Sequence, residues 1–133
     1  MKKKIADRWV KALRSGKYKQ GIGYLNKDNK FCCLGVLCDL ATKSKSINIQ
    51  TKFDTNTKSI YNENIISDHR IFCYYDKELA LLPQKVKEWA GMRNINGVFE
   101  SNNKTEYCLT ELNDNGKSFK QIANIIEKNY KNI

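Results

Sequence analysis

Apolar side chains recur at helical spacing over residues 2–15. Ile5, Ala6, Trp9, Val10 and Leu13 share one face, and Lys2, Lys4, Lys11 and Arg14 lie elsewhere, which predicts an amphipathic helix. Gly16 supplies a left-handed stop after it. Gly21–Leu25, a turn at Asn26–Asn29 and Lys30–Cys32 predict a short hairpin. Leu34–Ala41 is apolar at nearly every position except Gly35 and Asp39, the pattern of a helix buried all round. Residues 42–69 are dominated by Ser, Thr, Asn and Lys and predict a long excursion carrying one weak strand at most. Ile71–Tyr75 is aromatic and β-branched, the strongest strand signal in the chain. Pro83 opens a helix that runs to Ala90 and is closed by Gly91, and Val98 and Phe99 suit another short strand. Leu109 and Leu112 lie one helical turn apart and Asn113–Gly116 reads as a turn. Ser118 with Gln121 then forms a capping box for a last helix that buries Phe119, Ile122, Ala123, Ile125 and Ile126.

These elements predict a single α+β domain spanning residues 1–133, with three or four helices packed on a small antiparallel sheet, Leu34–Ala41 at the centre and 42–69 as a variable excursion. The expected core is Trp9, Leu13, Leu34, Leu37, Leu40, Val86, Trp89, Leu109, Leu112, Ile122 and Ile126. At 133 residues the chain is long enough to bury such a core. No run approaches the roughly 18 apolar residues of a bilayer span, so the expectation is a soluble, intracellular protein with no membrane partner.

Charge changes the picture more than composition does. The formal net charge is +10, and residues 1–30 hold ten basic and two acidic side chains, so +8 of it sits there. A one-sign field of that size concentrates anions, which points to a nucleotide, a nucleic acid or an acidic protein surface as partner. A codon bias toward Lys, Asn and Ile accounts for the abundance of lysine but not for its clustering.

Cys32, Cys33, Cys38, Cys73 and Cys108 form no paired ligand set for zinc, and His69 is the sole histidine; buried thiols are the expectation. Phe31–Asp39 is similar to the entry of the nucleophile helix in papain-like and cell-wall-peptidase domains. That similarity would make Cys33 a nucleophile and His69 its base, a cysteine-hydrolase alternative. The apolar surroundings of Cys33 would raise its pKa rather than lower it. Gly116–Lys117–Ser118 resembles the end of a Walker A loop, but Glu111 stands where the first glycine belongs. The Leu109–Ala123 spacing is that of a helix-turn-helix whose recognition helix is missing, and helix-hairpin packing explains it better. Glu111 and Asp114 are too thin a carboxylate cluster for metal-assisted phosphodiester hydrolysis. No catalytic residue and no cofactor is expected.

The segment Gly16–Tyr24 interleaves three glycines, two lysines and two tyrosines between a helix end and a hairpin. Backbone amides and ammonium groups hold phosphates, and aromatic faces stack bases. The candidate ligand-binding residues are accordingly Arg14, Lys17, Lys19 and Lys30 for phosphates and Tyr18 or Tyr24 for a base, with Arg93 and Phe99 as contributors from the other half of the chain.

Taken together, the run from Arg8 to Gly21, FCCLGVLCDL at Phe31–Leu40, LPQKVKEWAG at Leu82–Gly91 and LTELNDNGKSFKQIANII at Leu109–Ile126 resemble a family of small phage and prophage proteins. The resemblance implies an accessory protein of the bacterial host cytoplasm and assigns no catalytic residue. Proteins of that kind counter host defence, and one route is a sponge for a cyclic oligonucleotide or a cyclic ADP-ribose derivative. The expected function is therefore sequestration of a small anionic nucleotide, with a homo-oligomer completing the pocket. The alternative is an interaction protein for an acidic host protein or nucleic acid.

Overall fold

Helix α1 (Lys3–Arg14) forms where its apolar stripe demands, burying Ile5, Ala6, Trp9, Val10 and Leu13, and Gly16 follows it at φ 73°. The computed structural model describes residues 1–55, 57–61, 64–68 and 70–133. Next come β1 (Lys19–Gln20), β2 (Asn26–Lys27), β3 (Lys30–Phe31) and α2 (Cys33–Thr42), followed by β4 (Thr51–Asp54), β5 (Thr57–Tyr61), β6 (Asn64–Asp68) and β7 (Phe72–Tyr75). Helix α3 (Gln84–Ala90), β8 (Val98–Glu100), β9 (Glu106–Cys108), α4 (Leu109–Asp114) and α5 (Phe119–Asn129) complete the described elements of a single α+β domain. Among the described residues no helix is long and apolar enough to cross a membrane.

One sheet has strand order β1-β3-β2-β7-β4, and β5-β6 and β8-β9 are separate hairpins. Among the described residues the strand pairings are antiparallel except β1 with β3, which runs parallel. The expected hairpin is present but shifted. Asn26 and Lys27 are strand residues, and the turn is only Asp28–Asn29, both at positive φ (52° and 59°). That is the backbone of a two-residue type I′ loop, which Asp and Asn tolerate better than other side chains. Gly21–Leu25 is not a strand, because Leu25 leaves the ladder to bond Leu79 and to pack on α2. Among the described residues the 42–69 excursion carries three strands rather than one, and β4 joins the main sheet through β7.

Helix α2 is the centre of the core, with Cys33–Cys38 and Ala41 buried. The Trp9 indole donates to the Cys33 carbonyl at 2.9 Å, tying α1 to it. Leu40, Trp89, Leu112 and Ile125, expected inside, are only partly buried against the core. Leu25, Leu82 and Ile133 are fully buried instead. Lys2 Nζ donates to the Trp89 carbonyl at 2.8 Å, a cation at the C-terminal end of α3. Helix α5 starts with the expected capping box, Ser118 to Gln121 in both directions.

The least foreseen feature is Asn113, which lies in α4 rather than in a turn and is 1% exposed. Its Oδ1 accepts from the Cys33 N–H at 3.1 Å and from Gln20 Nε2 at 3.0 Å, and its Nδ2 donates to the Gly21 carbonyl at 2.9 Å. Gln20 in turn donates to the Lys117 carbonyl and accepts from the Phe119 N–H. The free N–H groups at the start of α2 are thus met by Asn113 and by the Cys32 sulfur, which accepts from Gly35 at 3.4 Å.

Two substitutions test this packing. A Cβ on Gly35 would lie 1.6 Å from the Leu25 carbonyl oxygen, so Gly35→Ala should cost roughly 3 kcal/mol in urea unfolding. Asn113→Ala strands the buried Cys33 N–H and Gly21 carbonyl and should cost about 2–3 kcal/mol by the same measurement, whereas Asn115→Ala, exposed one turn end away, should change little.

Candidate ligand-binding site

Where α1 ends, Gly16 turns the chain into β1 and places Lys17, Tyr18 and Lys19 along one wall of a cleft of about 310 Å³. Asn29 from the β2–β3 turn and Phe31 from β3 form the second wall, and Asp39 and Lys43 from the last turns of α2 form the third. Three lysines face one aspartate in this lining, and the aspartate is already engaged. Its Oδ2 accepts from Lys43 Nζ at 2.6 Å and from the Tyr18 hydroxyl. Burial and the Asp39 carboxylate push the Tyr18 phenol above its usual range, and the same carboxylate raises Lys43, so both keep their protons at neutral pH. Among the described residues neither Lys17 nor Lys19 has a hydrogen-bond or ion-pair partner for its ammonium group.

Beside the cleft the sheet arranges a ladder of like charge. Lys19 is in register with Lys30 across β1 and β3, and Lys30 with Lys27 across β3 and β2. Residues in register on neighbouring strands share a face of the sheet, and Asn26, Phe31 and Gln20 alternate with them toward the interior. Opposed like charges cost a sheet up to about 1 kcal/mol per pair, a cost that a bridging anion removes. The Lys27 ammonium also lies 5.2 Å from the centroid of Tyr24 and 5.5 Å from that of Phe72.

The eight residues singled out from the sequence are thus not one group. Lys17, Tyr18 and Lys19 share the cleft, and Lys30 adjoins it through the ladder. Arg14 is turned to another face, where Nη2 donates to Glu127 Oε2 at 2.7 Å and to Asn124 Oδ1 at 2.6 Å. Tyr24 packs edge-on against Phe72 under Lys27, and Tyr18 edge-on against Phe31 with Lys43 5.6 Å from its ring centroid. Each tyrosine therefore already carries a cation on a ring face that a base would need. Arg93 reaches the Lys131 carbonyl, away from the cleft, and Phe99 is 3% exposed and cannot meet a ligand without rearrangement.

Asp39 and Lys43 went unmarked in the sequence, yet a signal was there. Asp39 is the lone acid of an otherwise apolar helix, and Lys43 follows it at i+4, the spacing of a helical ion pair.

Cys33 sits where a nucleophile would, at the start of α2, but it is fully buried. Its thiol donates to the Leu109 carbonyl at 3.4 Å, and burial pushes its pKa well up. Those are the properties of a packed thiol, the reverse of an activated one. His69 lies outside the described residues. Among the described residues no three His, Cys, Asp or Glu side chains are grouped as metal ligands would be.

The chain belongs to a family described as Domain of unknown function (DUF8296), whose model matches residues 1–130. No curated protein and no solved structure matches it.

The thiols give a direct check. With an aromatic disulfide reagent at pH 8, partly exposed Cys108 should react in the folded protein, and Cys33 and Cys38 only on unfolding. Burial pushes Cys32 up to about 11 from an ordinary 9.0. The unfolded thiol ionises first, so Cys32 alone should remove about 1.4 kcal/mol of stability per pH unit as pH rises from 9 toward 11, and Cys33 and Cys38, raised by burial too, steepen the fall. Cys32→Ser keeps an N-cap acceptor and should make that slope shallower by about 1.4 kcal/mol per pH unit in urea titrations.

Proposed function

We propose that this member of the DUF8296 family is a binding protein that sequesters a small phosphate-bearing anion at the lysine-lined end of β1, β3 and β2. The ligand class is a nucleotide signal of the cyclic oligonucleotide or cyclic ADP-ribose kind. The observation that carries the reading is the placement of the N-terminal lysines: Lys17 and Lys19 unpaired in a cleft, with Lys30 and Lys27 in register beside it. Such an array is unfavourable on its own and becomes favourable when an anion with more than one negative group spans it.

The recognition is centred on phosphate. Lys17, Lys19 and Lys30 supply charge, Asn29 supplies an amide, and Asp39 holds Lys43 and Tyr18 in place rather than repelling the ligand, since its charge is matched by Lys43. The cleft of about 310 Å³ falls at the lower end of small-ligand sites, which suits a compact guest. The resemblance of the chain's motifs to small phage proteins is the reason for choosing a host signal as that guest and a sponge as the mode of action. No side chain of the cleft needs to react for this activity.

Calorimetry and thermal shift against cyclic dinucleotides, cyclic trinucleotides and cyclic ADP-ribose isomers test it. One class should raise the melting temperature and be released intact on denaturation. Lys17→Glu and Lys30→Glu should each weaken binding by about ten-fold or more, since each removes a charged contact. The salt dependence should be shallow compared with that of a protein coating long nucleic acid. No shift from any member of the panel, or recovery of a cleaved ligand, overturns the reading.

A further inference from the structure

The β8–β9 hairpin, α4 and α5 line a second cleft of about 440 Å³, which the function proposed above does not use. Its platform is Tyr107. Phe99 and Tyr107 are in register across the hairpin, their rings stacked at 5.6 Å between centroids with 24° between planes. Phe99 is buried beneath, and Tyr107 is 36% exposed. Among the described residues no cation lies over Tyr107, in contrast to Tyr18 and Tyr24.

The rim is chemically one-sided. Lys117 and Lys128 line it without an ion pair among the described residues, and no carboxylate lines it. Glu100 and Glu106, in register with each other, alternate with Phe99 and Tyr107 and so belong to the opposite face of the hairpin. Amides complete the wall. Asn103 has no partner among the described residues, Asn124 uses only its Oδ1, on Arg14, and Asn129 uses only its Nδ2, on the Ile125 carbonyl. The cleft thereby offers donors and acceptors together, as the edge of a nucleobase requires.

A backed aromatic face, mixed amides and two lysines select a planar, hydrogen-bonding group joined to an anion. We propose that this cleft binds a nucleotide unit, its base stacked on Tyr107, its edge met by Asn103, Asn124 or Asn129 and its phosphate held by Lys117 and Lys128. A sugar alone would leave the lysines unused, and an inorganic anion would leave the ring and amides unused. The unit has two sources, a free nucleotide or a nucleotide within a single strand, and the volume lies within the range of about 300–1,000 Å³ of small-ligand sites.

The test uses the full chain with two probes, the four nucleoside 5′-monophosphates by calorimetry and fluorescein-labelled single-stranded DNA and RNA 8-mers by anisotropy. Binding of a monophosphate identifies a free-nucleotide site, and binding of the 8-mers alone identifies a strand site; either supports the proposal if the variants respond as follows. Tyr107→Ala should weaken binding by about ten-fold and Tyr107→Phe should restore it, as expected for stacking. Because Tyr107→Ala uncovers Phe99, the Lys117→Gln/Lys128→Gln double variant, on exposed side chains, provides a second reading. For an 8-mer it should weaken binding and make the salt dependence shallower by about 1.4 in log–log slope. Lys17→Glu, in the other cleft, should leave this binding unchanged. The proposal is overturned if neither probe binds, or if binding survives Tyr107→Ala and the double glutamine variant, whether or not Lys17→Glu abolishes it. Because the two clefts are tested by different residues, failure here leaves the reading of the lysine ladder standing, and the reverse.

Discussion

One buried amide holds the architecture around the lysine cleft together. Asn113 reaches from α4 to the first N–H of α2, to the Gln20 side chain on β1 and to the Gly21 carbonyl just after it. The Cys33 N–H is buried and the other two groups are partly so, and leaving the buried one unmet would cost about 1–3 kcal/mol. The shared amide sets where β1 lies relative to α2, and that spacing is the width of the cleft between Lys17–Lys19 and Asp39–Lys43. Gln20 extends the same network to the start of α5 through Lys117 and Phe119. The α4–α5 turn is therefore tied to the lysine wall by hydrogen bonds, beside a sheet whose β1, β2 and β3 are only two residues each.

Short strands of this kind have little ladder energy of their own, and their stability comes from what they rest on. Phe31 packs with Tyr18, Leu25 seats against Gly35, and the type I′ turn at Asp28–Asn29 fixes the register that lines up Lys27, Lys30 and Lys19. The charge array is thus a consequence of register, held against its own repulsion by a core several side chains deep. In the ion pair of Asp39 with Lys43 the carboxylate is half-buried but the lysine is exposed to solvent, so the pair adds little stability. Its effect is on the field, because it cancels the one negative charge in the cleft.

Much of the core was legible in the chain. Trp9, Leu13, Leu34, Leu37, Val86, Leu109, Ile122 and Ile126 are buried as their periodicity requires, and the Ser118–Gln121 box caps α5. The misjudged positions share a cause. Asn113 stands in an Asn-Asp-Asn-Gly run that has the composition of a turn, and only its neighbours in space make it a core residue. Asn26 and Lys27 carry turn chemistry too, yet pair as strand because Asp28 and Asn29 suffice for the turn. Excursion residues Thr51–Asp54 gain strand character from β7 and not from their own sequence.

The candidate site divides along the same line. Clustering of cations in the first thirty residues is a property of composition along the chain, and so is the excess of positive field there. Which of those cations act together depends on long-range contacts. Arg14 is drawn to Glu127 on α5, 113 residues away, while Lys30 is brought beside Lys19 by a parallel pairing that no local pattern encodes. Periodicity and capping report interactions within one turn or one strand, so they specify helices, their buried faces and their ends. Partners across the fold are chosen by packing geometry and by the need to satisfy buried polar groups, and these exist only once distant segments meet.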